Sequence, residues 1–172
     1  MHRSVYVLVR LASLTAGTFV LIGAPLVVMY AGGLLADLPA RHETTQFLGG
    51  IVGALLLAAL LSGLAALVAA LTVRRGMAVA AVIVVLLVSY AVVSVIQGIS
   101  WDTHHDRVGE IAGLFSPYTL VNGVQHFLFG VSGAAQTPPD GTGMGLLYCA
   151  AVVVIVLGSV AALVARYRRV SP

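Results

Sequence analysis

The sequence predicts an all-α integral membrane protein with four transmembrane helices and a short half-inserted helical hairpin on the outer face before the last span. Three observations carry that prediction. Hydrophobic residues make up 60% of the 172 residues, charged residues only 9%, and the mean hydropathy is +1.06. A soluble domain of average composition is about 25% charged, and at this length surface scaling leaves too many side chains exposed for so apolar a chain. A disordered chain needs the opposite composition. Second, four apolar stretches reach the roughly 20 residues that a bilayer core requires of a helix. Third, a segment of similar apolar character lies between the third and fourth stretches but is too short to cross. The whole chain, 1–172, reads as one membrane domain.

The four spans run over about 11–30, 47–71, 77–96 and 144–165, and none contains an acidic or basic side chain. In lipid every backbone polar group must be satisfied within the segment, so helices are expected. Span one carries Gly23 and Pro25 near its middle, where a kink is expected, and is read as ordinary proline tolerance rather than a hinge. It is longer than the apolar run of a cleaved signal peptide and three spans follow, so a retained helix is expected. Span two contains Gly49 and Gly53, a small-xxx-small step, and later Ser62 and Gly63. These are packing residues that let another helix approach closely, of this chain or of a second copy. Only Thr72 to Gly76 separates spans two and three, which makes them an antiparallel hairpin. Cys149 lies inside the last apolar run and forms no intrachain disulfide, being alone.

All nine basic residues are Arg, and their placement sets the orientation. Arg3, Arg10, Arg74, Arg75, Arg166, Arg168 and Arg169 share one side with no acid. The other side holds Arg41 and Arg107 with Asp37, Glu43, Asp102, Asp106, Glu110 and Asp140. A multi-pass protein of the cell membrane with both termini cytoplasmic is the expectation. The basic residues form no stripe with interleaved aromatics, so nucleic acid is excluded as a partner, while lipid is a partner by composition.

Between spans three and four, Ser116-Pro117 is a helix start with Ser as N-cap and Pro at the first helical position. Leu120, Val121, Val124, Phe127 and Leu128 then recur at helical spacing. The thirteen residues from Pro117 to Phe129 cover only about 20 Å as a helix. With Val108 to Phe115 as a second short helix, the segment 108–129 forms the half-inserted pair. The stretch from Gly130 to Gly143 is expected to be a loop.

Trp101 to Asp106 raises a metal reading, with His104, His105 and Asp106 as ligand types and His126 and Glu110 as contributors from nearby turns. Adjacent histidines have no recognised ligand spacing, and a solvated interfacial loop with Trp101 at headgroup level is preferred. The spans hold no ionisable residue that would mark a proton or ion path. No phosphate-binding glycine loop and no catalytic Ser/His/Asp or Cys/His arrangement occurs, so neither an enzyme nor a bound cofactor is expected.

The order of parts resembles the C-terminal, four-span portion of an ABC transporter permease of the export (type 2) class. The resemblance rests on Leu114-Phe115-Ser116-Pro117-Tyr118 with Leu120 and Gly123 through Gly130, on the short Arg-Arg turn, and on the terminal Arg166-Tyr167-Arg168-Arg169. It implies a permease subunit that forms a translocation pathway with a second permease chain, as homo- or heterodimer, on a separate cytoplasmic ABC ATPase. ATP and Mg would then sit on that partner. It further implies an ATPase contact at Val73 to Met77, carried by Arg74, Arg75 and Gly76. Ser116, Pro117, Tyr118 and Phe127 would belong to the outer gate. Family members usually have six spans, so the chain is expected to be a fragment, a mis-started reading frame or a half-size subunit. The alternatives are a non-transporting four-helix accessory or scaffold subunit and an extracellular metal-handling protein.

Overall fold

The computed structural model describes residues 3–35, 40–72, 75–130 and 138–169. Among these the chain forms six helices and no strand: α1 (Arg3–Leu35), α2 (Ala40–Leu71), α3 (Arg75–Thr103), α4 (Asp106–Gly113), α5 (Pro117–Phe129) and α6 (Gly141–Arg169). α1, α2, α3 and α6 are each long and apolar enough to cross a membrane, over Leu8–Gly33, Gln46–Leu71, Gly76–Thr103 and Gly141–Arg166. The protein is therefore all-helical and multi-pass.

Each of the four long helices outruns the apolar stretch that announces it, because helical hydrogen bonding continues into the polar flanks once a span is nucleated. In α3, Gln97 to Thr103 extends the helix by nearly two turns, where a connection was expected to begin. α1 runs without interruption through Pro25. The expected loop before the last span is cut at its far end, where α6 begins at Gly141; residues 131–137 of it lie outside the described residues.

α2 is the central element and packs against α1, α3, α5 and α6. α1 and α3 lie at the periphery, with long rows of exposed aliphatic side chains such as Val20, Leu21, Val28, Leu87 and Val95. Leu26 of α1 lies against Gly50, and Tyr30 stacks on Phe47 at 4.2 Å and 22°, which ties α1 to α2. The buried core joins Leu60 of α2, Leu120, Val121 and Val124 of α5, and Tyr148 and Val152 of α6. One end of the bundle carries the short helices α4 and α5; the opposite end, where α2 hands over to α3, carries Arg75 and Arg166.

Candidate functional site: the hairpin wedge

Two helices shorter than a bilayer leave broken backbone inside the bundle, and such breaks persist only where other groups meet the freed carbonyls. At the end of α4 all four are met. The N–H groups of Leu114 and Phe115 donate to the carbonyls of Ile111 (3.2 Å) and Ala112 (3.0 Å). Thr119 Oγ1 donates to Gly113 O at 2.7 Å, and the Tyr148 hydroxyl donates to the carbonyl of Glu110. Gln97 Nε2 adds a bond to Gly109 O at 3.3 Å, joining α3 to α4. Gln125 Nε2 donates to Gly49 O at 2.8 Å and joins α5 to α2. The free end of α5 is closed by Gly130 in the left-handed conformation, with its N–H on His126 O.

Tyr148 is the pin of the wedge. It is 1% exposed, and its ring and hydroxyl fill the space that a Cβ on Gly123 or Gly113 would occupy. Phe127 lies over Gly145 in the same manner, and Gln125 over Gly53. Glu110, 5% exposed, accepts a 2.7 Å bond at Oε1 from the N–H of Asp140. Its carboxylate thus sits at the start of α6, where the helix dipole favours negative charge.

The wedge reaches deep. Tyr118 meets Tyr90 edge-on, with centroids 5.6 Å apart and planes at 83°, and Tyr90 lies halfway between Gly76 and Thr103 along α3. The first turn of α5 therefore reaches α3 near the middle of that helix. There the chain differs from the sequence expectation: Ser116 is the N-cap and Pro117 the first helical residue, yet Ser116 makes no side-chain cap bond.

The packing residues face partners in this same chain. Gly49 and Gly53 face Gln125 of α5, and Gly63 faces Ser159 of α6. Of the residues implied for the outer gate, Ser116 is buried, Pro117 is half-buried, Tyr118 is exposed and Phe127 packs over Gly145 of α6. Of those implied for the ATPase contact, Arg74 lies outside the described residues, Arg75 opens α3 and Gly76 is exposed. His104, His105 and Asp106 are exposed, and each histidine bonds locally, to Trp101 O and Thr103 O. No group of three His, Cys, Asp or Glu side chains suited to a metal comes together among the described residues.

Sequence reasoning does not single out Tyr148, Gln97 or Gln125. A phenol inside an apolar span was the available signal, since a buried Tyr hydroxyl requires an acceptor. The searches against family models, curated proteins and solved structures find no match for this chain.

Proposed function

We propose that the chain is a permease subunit of an ATP-driven ABC exporter in the cell membrane, with both termini cytoplasmic. In this reading it pairs with a second permease chain, hydrolyses nothing itself, and is driven by a separate cytoplasmic ATPase. One observation carries the reading: a backbone break at mid-span depth, lined by buried polar groups, inside a frame of otherwise apolar spans. Irregular backbone at membrane depth is tolerated only where it is buried or lines a pathway, and transporters place such broken helices at their pathways. In the proposed transporter α4 and α5 close the outer half of that pathway, and the Arg74–Gly76 turn meets the ATPase.

The test is co-purification from native membranes. A soluble nucleotide-hydrolysing subunit should elute with the chain, and the Arg74→Asp/Arg75→Asp variant should lose most of it while retaining its helix content. Native complexes without such a subunit would remove the transporter reading in favour of the accessory one. Undiminished recovery from the double variant would move the contact elsewhere.

A further inference from the structure

The two ends of the hairpin tip are unequal. Every carbonyl freed at the end of α4 has a partner, but the start of α5 does not. Pro117 has no N–H, Leu120 N–H bonds to Ser116 O at 2.9 Å, and among the described residues the N–H groups of Tyr118 and Thr119 make no hydrogen bond. Ser116 Oγ, at the same point, is 1% exposed and has no hydrogen-bond partner. The first turn of α5 carries no acid, and the carboxylate of Glu110 is engaged at Asp140. Free amides, a helix dipole and an unused hydroxyl in a medium of low dielectric form a strong acceptor site for negative charge. Beside it Phe115 is 74% exposed, and Tyr118 and Tyr90 are half-exposed, so an apolar flank faces outward at the same depth.

We propose that the N-terminus of α5 binds the headgroup of an anionic amphiphile, a carboxylate or phosphate on an apolar chain, with the chain lying over Phe115, Tyr118 and Tyr90. A freely hydrated anion is disfavoured at this level by desolvation; an amphiphile brings its own apolar cover. That such a molecule is cargo rests on the exporter reading, whereas the site itself does not.

The experiment uses the full chain, alone, in the uncharged detergent dodecyl maltoside, with palmitate labelled by 13C at the carboxylate and followed by NMR. The expected result is saturable binding, displaced by unlabelled palmitate but not by a tenfold excess of hexadecanol or inorganic phosphate. Ser116→Asp, which supplies the cap from within the chain, should weaken binding at least tenfold. Phe115→Ser should weaken it several-fold with the helix content unchanged, which keeps the test decisive if the Asp variant does not fold. Equal displacement by hexadecanol would reduce the site to an apolar groove, and displacement by phosphate would make it a free-anion site; either overturns the proposal. So would undiminished binding by folded Ser116→Asp or by Phe115→Ser. Because no ATPase is present, failure here leaves the co-purification result untouched, and the reverse holds too.

Discussion

The two ends of the bundle are held together by different means. Toward the arginine-bearing end the contacts are spare: Ser62 Oγ reaches Thr18 Oγ1 at 3.5 Å, Gly63 faces Ser159, and Leu163 is buried. Toward the hairpin end the space between α2, α3 and α6 is filled by α4 and α5, with Tyr148, Gln125, Gln97 and Thr119 each donating to a backbone carbonyl. Lipid tails are as apolar as leucine, so burial of aliphatic surface supplies little attraction between spans. Close approach of small residues suffices where helices are continuous. Where the helix is broken, named side chains must replace the missing intrahelical bonds.

The sharpest way to break this contrast is to fill matched glycines. Gly123→Ala drives its methyl into the buried Tyr148 ring, which has nowhere to go; a loss near the upper end of overpacking costs, about 3 kcal/mol, is expected. It should appear as failure to elute as a single species, or as a large drop in unfolding temperature. Gly63→Ala, at the other end, meets Ser159 Oγ at 2.6 Å. Turning that hydroxyl away gives up its 2.8 Å bond to Val156 O, so a smaller cost of about 1 kcal/mol is expected.

Tyr148→Phe separates the ring from the hydroxyl. The ring still fills the site, but the Glu110 carbonyl loses its donor while buried, and about 1–3 kcal/mol should be lost. Denaturation in detergent should register this. An unchanged midpoint would mean that another group caps α4.

A smaller effect tests the tie between α5 and α2. Gln125→Ala should cost about 1 kcal/mol through the lost bond to Gly49 O. Gly53→Ala should be damaging in the parent yet tolerated beside Gln125→Ala, since the amide occupies the place of the new methyl. The double-mutant cycle measures that coupling directly. Additive losses would place Gln125 elsewhere.

The smallest effects belong to the periphery. Leu21→Ala on α1 and Leu87→Ala on α3 change side chains that are 78% and 63% exposed. Each should alter stability by less than about 0.5 kcal/mol, because lipid covers the vacated surface. A larger loss at either position would point to a protein neighbour on that face.

The long helices were legible because bilayer thickness imposes a length that composition alone reveals. The short ones were legible for a local reason. Ser116-Pro117 starts α5 and Gly130 ends it, and these are preferences of single residues. What joins the wedge to its frame was not legible. Gln125 and Gly49 are 76 residues apart, Glu110 and Tyr148 are 38 apart, and no periodicity connects such positions. The same distance explains Gln97, which as a sequence marks the end of an apolar run and in the fold bonds to α4.

From the amino-acid order alone came the membrane as solvent, the number of spans, the uneven placement of Arg and the two short helices, because each depends on local composition and on the depth of a bilayer. The depth of the hairpin tip, the capping of α4 by Tyr148 and Thr119, and the uncapped start of α5 were decided by tertiary structure. These depend on which carbonyls and amides are freed when two short helices meet four long ones, and that balance exists only once the helices are packed together.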